Sequence, residues 1–192
     1  MTTIPPELRT LPPVTLVLGG ARSGKSALAE VMVLSHGHHP IYLATAAPAP
    51  AEDDAEMSQR ILRHQERRGT AWTTIETPLA VPAVLETVPA GTPVLIDCLT
   101  FWLSNLMLGG HDIGQHTAAL LAALAAPRGP VVMVSNEVGL GIVPDNALAR
   151  AFRDHAGELN QIVAAQAQRV VFVAAGLPLV LKNVVAAPLE TP

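Results

Sequence analysis

The chain has 192 residues, a formal net charge of −4, 49% hydrophobic residues and only 15% charged ones; that length supports one domain with a proper core, and the composition argues against disorder. The negative charge argues against non-specific nucleic-acid binding, which needs a basic face. The single cysteine, Cys98, excludes an intramolecular disulfide framework and any cysteine-rich metal site.

Residues 1–13 carry one arginine and two adjacent-proline pairs and read as a flexible leader without the pattern of a signal peptide. No stretch approaches the ~18 uninterrupted apolar residues of a membrane helix, so a cytoplasmic setting is expected. Val14–Leu18 is a short β-branched run ending in glycines, the pattern of a buried strand. A helix is predicted from Ser26 to Ser35, and Pro40–Thr45 is a second buried strand. After an Ala/Pro loop at residues 46–50, Asp53 and Asp54 begin a helix that runs to about Arg68, acidic at its start and basic at its end as the helix dipole favours.

Ala71–Glu76 alternates like a strand, and Pro78–Val88 reads as a helix with proline in its first turn. Pro93–Asp97 is another buried strand. Leu99–Leu108 and Gln115–Ala126 look helical across a Gly/His loop, and Pro130–Ser135 is a strand followed by a glycine-containing loop. Asp145 is expected to cap a long helix through about Gln168. Val170–Ala174 and Leu179–Leu181 finish the chain, joined across Gly176–Pro178 too closely for a helical crossover, and so predict an antiparallel hairpin at one edge. Alternating helices and continuous apolar strands define an α/β fold with a mostly parallel central sheet flanked by helices. The domain is expected over residues 14–183, with a C-terminal tail at 184–192.

Gly19-Gly20-Ala21-Arg22-Ser23-Gly24-Lys25-Ser26 fits G-x-x-x-x-G-K-[ST] between a strand and a helix, the P-loop NTPase arrangement. Glycines let the backbone wrap phosphate oxygens, and the N–H groups and helix N-terminus face the anion. Lys25 is expected on the β and γ phosphates of GTP or ATP, and Ser26 on Mg²⁺. Arg22 reads either as a solvated loop residue or as a further phosphate neutraliser. P-loop enzymes usually place an acid at the end of a neighbouring strand to organise the metal; Asp97 suits that role, or else caps the next helix.

The loop specifies a nucleotide, not a reaction. A switch GTPase would carry [NT]-K-x-D, which is absent, and the one D-x-x-G, Asp154–Gly157, lies inside a helical stretch. His64 sits among Arg60, Arg63, Arg67 and Arg68 on a polar helix. By itself it reads as a solvated histidine. A neutral imidazole is nonetheless a competent nucleophile toward phosphorus.

Taken together, GGARSGKS (19–26), IYLAT (41–45), DDAEM (53–57), RILRH (60–64), LIDCLT (95–100), SNEVGLGIVP (135–144) and ARAFRDHAGELNQ (149–161) resemble one family over about Val14 to Lys182. It is the bifunctional adenosylcobinamide kinase/adenosylcobinamide-phosphate guanylyltransferase family of cobalamin biosynthesis. The resemblance implies phosphorylation of adenosylcobinamide by a nucleoside triphosphate. It further implies transfer of GMP from GTP, through a guanylylated histidine that falls on His64, to adenosylcobinamide phosphate. It also implies a small ring, a homotrimer. Asn136 and Glu137 lie in the family's signature loop and are candidates for substrate or subunit contact, or form a structural turn. Asp54, Glu56, Arg60 and Arg67 are candidates for substrate or subunit contact, and Asp54 and Glu56 also for metal or nucleotide contact, or else serve only the helix dipole. For the N-terminal extension the family suggests no role. Two other readings stand beside this one: a simple P-loop small-molecule kinase with His64 incidental, and a non-catalytic GTP-binding regulatory module.

Overall fold

The computed structural model describes residues 5–36, 39–46 and 69–184. Seven strands form one sheet: β1 (Val14–Gly19), β2 (Ile41–Ala44), β3 (Thr73–Glu76), β4 (Val94–Asp97), β5 (Val131–Asn136), β6 (Arg169–Ala174) and β7 (Leu177–Asn183). Their order is β3-β2-β4-β5-β1-β6-β7. All neighbours pair in parallel except β6 with β7, the antiparallel edge hairpin the sequence predicts. The helices are α1 (Lys25–Leu34), α2 (Val81–Thr87), α3 (Leu99–Leu108), α4 (Ile113–Ala125) and α5 (Ala147–Gln166).

The inner strands β1, β2, β4, β5 and β6 are largely apolar and buried because both faces of the sheet are covered there, whereas the edge strands β3 and β7 are largely exposed. On one face Leu16, Leu43, Ile96 and Met133 pack with α2 to α5, through Leu85, Trp102, Leu120 and Leu159 among others. Their neighbours Val17, Tyr42, Leu95 and Val132 point to the other face and meet Leu28 and Met32 of α1. The two-residue period of a strand thus divides one run of side chains between two cores. No helix among the described residues is long and apolar enough to cross a membrane.

Residues 5–13, expected as a loose leader, pack instead. Leu8 is fully buried and Leu11 nearly so, both in the α1-side core. The buried Arg169 holds this segment: its Nη1 donates to the Thr10 carbonyl and its Nε to Asn183 Oδ1 at 3.0 Å. Burial lowers the pKa of that guanidinium, and Glu7 opposes the shift. The polar composition of the segment conceals the two leucines that α1 leaves room for.

Other differences are local. The acceptor at the head of α5 is Asn146, whose side chain accepts from the Ala149 N–H at 2.8 Å, and not Asp145. Two adjacent residues of equal capping ability cannot be ranked by type alone. Likewise α4 starts before Gln115, because Asp112 accepts from the Gln115 N–H at 2.9 Å. Helix α2 begins at Val81 rather than Pro78, and Gly69–Ala71 is a short 3₁₀ turn ahead of β3. The final hairpin turns at Ala175–Gly176, so Leu177 and Pro178 already belong to β7.

Candidate active site

The C-terminal ends of the parallel strands form the edge where open α/β sheets bind ligands. β1 ends there at Gly19, which has no room for a side chain. A Cβ would sit against the Val173 carbonyl of the neighbouring β6 and 2.6 Å from Ser23 Oγ. The loop then turns tightly, with the Ser23 N–H donating to the Gly20 carbonyl at 3.3 Å. Gly24 takes φ +98° at the head of α1, a conformation that favours glycine. The turn of the β6–β7 hairpin supports the loop from behind: the Gly176 N–H donates to the Ser23 carbonyl at 2.8 Å. Lys25 is buried, with Nζ donating to the Gly20 carbonyl at 3.0 Å. The lysine arm therefore lies across the loop that a phosphate would enter. Ser26 follows in the first turn of α1, half-buried, while Ala21 and Arg22 are exposed.

Asp97 ends β4, and Tyr42 Oη donates to its Oδ2 at 2.7 Å. Tyr42 is itself braced edge-on by Trp72, ring centroids 5.5 Å apart. The expectation that Asp97 ends a strand neighbouring the loop needs correction, since β5 lies between β4 and β1. Strand order is set by which faces pack, and the order of elements along the chain does not carry it. Cys98 is buried and its thiol is pushed up to about 11, chiefly by burial and then by the charge of Asp97, against the opposing effects of hydrogen bonding from the Phe101 backbone and the Thr100 side chain and of the Lys25 charge. It is a neutral packing residue.

β5 ends at Asn136, level with Gly19 in the register, and the Glu137 N–H donates to the Gly19 carbonyl at 3.1 Å. The Asn136 N–H donates to Thr100 Oγ1 at 2.8 Å, and Asn160 Nδ2 donates to the Asn136 carbonyl at 3.2 Å. Glu137 turns its carboxylate to the Gly139 N–H at 2.6 Å. Arg150 and Arg153 are spent locally, on the carbonyls of Pro144 and Asp145 and on the Asp154 carboxylate respectively. The structure thus brings Gly19–Ser26, Asp97, Asn136 and Glu137 to one edge. Tyr42, Thr100, Asn160 and Gly176 belong to the same edge and escape sequence reasoning, because each works through a partner distant along the chain.

His64, Asp54, Glu56, Arg60 and Arg67 lie outside the described residues. The connection that carries them leaves from the end of β2. There Thr45 Oγ1 is bonded by the Cys98 N–H at 2.7 Å, and Asn105 Nδ2 donates to the carbonyls of Thr45 and Pro78 at 2.8 and 3.0 Å.

A strand, a glycine loop closed by a buried lysine and a following helix make this a P-loop nucleotide-binding protein. The family model for cobinamide kinase / cobinamide phosphate guanyltransferase matches residues 15–181, and the chain belongs to that family of enzymes. It is 45% identical over 171 residues to the bifunctional adenosylcobalamin biosynthesis protein CobP of Pseudomonas aeruginosa, covering 88% of this chain and 96% of that protein. It is 37% identical over 185 residues to the bifunctional adenosylcobalamin biosynthesis protein CobU of Salmonella typhimurium, covering 87% and 98%. Among solved structures, the protein of Project ID PH0250 from Pyrococcus horikoshii shares the fold with a TM-score of 0.52. The match covers 96% of this chain and 97% of that one at 9% identity.

Proposed function

We propose that the chain phosphorylates adenosylcobinamide with a nucleoside triphosphate and then guanylylates the product through His64. In the first step a substrate hydroxyl oxygen attacks the γ-phosphorus, its proton leaves, and the nucleoside diphosphate departs. In the second, an imidazole nitrogen of His64 attacks the α-phosphorus of GTP and pyrophosphate leaves. A phosphate oxygen of adenosylcobinamide phosphate then attacks the same phosphorus, giving adenosylcobinamide-GDP and freeing His64. Dividing the transfer into two displacements is ordinary covalent catalysis.

The observation that carries the nucleotide half is the Gly19–Ser26 cradle crossed by Lys25. Membership of the family carries the substrate half. Lys25 and the loop N–H groups would hold the negative charge that grows on the leaving phosphates. Mg²⁺ suits the donors present, since the Ser26 hydroxyl and the Asp97 carboxylate are hard oxygen ligands, and Tyr42 engages one oxygen of Asp97, Oδ2. Bound there, the ion would supply charge neutralisation to the phosphates. Asp54, Glu56, Arg60 and Arg67 share a segment with His64 and are read as contacts to nucleotide or substrate. The exposed apolar run Leu140, Ile142 and Val143 in the signature loop supports assembly with further copies, read as a trimer.

Covalent labelling tests the reading. Wild type and His64→Ala are incubated with Mg²⁺ and GTP labelled at the α or the γ phosphate. The expected result is an acid-labile, alkali-stable α-label on wild type alone, removed by adenosylcobinamide phosphate. Retained α-label on His64→Ala would move the nucleophile elsewhere. No label on active, GTP-binding protein would leave the simple kinase.

A further inference from the structure

We propose that His111 and His116 form a two-histidine site for Zn²⁺ where α3 gives way to α4, on side chains that neither the nucleotide loop nor the covalent step uses.

The local chain brings the two rings together. α3 ends at Leu108 and α4 begins at Ile113, so His111 belongs to the connection and His116 to the first turn of α4. Both backbones are fixed: the His111 N–H donates to the Leu106 carbonyl at 2.9 Å and the His116 N–H to the Asp112 carbonyl at 3.1 Å. The ring centroids lie 5.5 Å apart with their planes at 72°. His116 is half-buried and rests edge-on to the fully buried Trp102, centroids 6.5 Å apart, while His111 is exposed. Gly109 makes room for His111. Its φ of −79° is one that any residue adopts, yet a Cβ there would lie 2.7 Å from His111 Cδ2 and 2.8 Å from Nε2. The glycine thus serves the seating of an imidazole and not a turn conformation. No hydrogen bond among the described residues engages either ring, and the neighbouring Asp112 turns Oδ1 to the Gln115 N–H.

The separation of the rings selects the metal. An imidazole nitrogen suits borderline divalent cations and not the hard Mg²⁺. With metal–nitrogen bonds of about 2.0–2.1 Å, two imidazoles on a tetrahedral ion place their centroids roughly 5.2 Å apart, and two at the right angle of a square-planar or octahedral ion roughly 4.5 Å. The observed 5.5 Å lies closer to the tetrahedral value, the geometry that Zn²⁺ adopts. No group of three His, Cys, Asp or Glu able to hold a metal occurs among the described residues, so water completes the coordination. Neither ring has an acceptor orienting its second nitrogen, a lack that typically costs 10–100-fold in affinity, and the site therefore exchanges its ion. Bound there, the ion clips the connection to the head of α4 beside Trp102, whose Nε1 donates to the Leu79 carbonyl at 2.9 Å.

The test uses tag-free protein in which His36, His38 and His39, a second histidine group in the sequence, are replaced by glutamine. Zn²⁺ is titrated calorimetrically with Mg²⁺ present throughout, and Co²⁺ is followed by its visible absorption, intense for a tetrahedral ion and weak for an octahedral one. The expected result is one Zn²⁺ per chain, an intense Co²⁺ band, and a Tm raised by roughly 5–11 °C at Zn²⁺ a hundredfold above Kd. His111→Gln and His116→Gln should each weaken Zn²⁺ at least tenfold. Gly109→Ala keeps both ligands but displaces one ring; it should weaken Zn²⁺ severalfold and serves if His116→Gln folds poorly. No Zn²⁺ binding by the glutamine background, or unchanged affinity in His111→Gln, overturns the proposal and leaves the two rings as packing. A weak, octahedral Co²⁺ band overturns the tetrahedral assignment.

Discussion

Replacing Gly19 by alanine isolates what the first glycine of the loop does. The added Cβ would lie 2.6 Å from Ser23 Oγ and also inside 3.0 Å of the Val173 carbonyl, a separation real Cβ atoms essentially never show. The serine can rotate away. The carbonyl cannot, because Val173 pairs with Gly19 across the β1–β6 ladder and β6 is held on its other side by β7. Either the strand end or the loop must move by roughly half an ångström or more, and overpacking of that kind costs about 1–3 kcal/mol. For a domain of this size that lowers Tm by roughly 2–12 °C. The moved loop also loses the Glu137 N–H to Gly19 contact and the aim of its N–H groups. Gly20→Ala is the matched control, because a Cβ there meets nothing within 4 Å. Thermal unfolding of the three proteins without nucleotide, then titration with GTP, separates strain from binding. Gly19→Ala should lose both stability and affinity, whereas Gly20→Ala should keep its stability. Equal Tm values for Gly19→Ala and wild type would refute the reasoning.

Leu8→Ala should cost about 2–5 kcal/mol in chemical denaturation, as for any core leucine, although the segment around it looks dispensable; an unchanged midpoint would show that the leader is not part of the core. Tyr42→Phe removes the hydrogen bond to the Asp97 carboxylate, and since such bonds are worth about 1.5–3 kcal/mol, kcat/KM should fall roughly tenfold or more with a higher Mg²⁺ requirement. Cys98, buried and with its thiol raised to about 11, holds almost no thiolate at pH 8. Folded protein should therefore resist iodoacetamide there and react only on unfolding, as mass spectrometry can follow. Asn105→Leu frees the ends of β2 and β3 that Asn105 Nδ2 joins. Guanylylation is expected to fall more than GTP binding, because the connection bearing His64 starts at Thr45.

The nucleotide loop was legible before any coordinates because its chemistry is local. Gly24, Lys25 and Ser26 act within one turn of chain, and residue type with spacing specifies that turn. The alternation of elements, the parallel core and the edge hairpin were legible for the same reason: each strand or helix advertises its own burial period. Helix starts were legible only to within a residue or two, as Asp145 against Asn146 for the cap of α5 and Gln115 against Ile113 for the first residue of α4 illustrate, because neighbouring polar residues compete for the same N–H groups. What the tertiary structure alone decided is everything that pairs residues far apart in sequence. It inserted β5 between the loop strand and Asp97, set Tyr42 on that carboxylate, braced Asn136 from Thr100 and Asn160, and drew Leu8 into the core beneath Arg169. None of these contacts leaves a periodic or compositional trace, since each is chosen by the packing of whole faces and not by the neighbours of a residue along the chain.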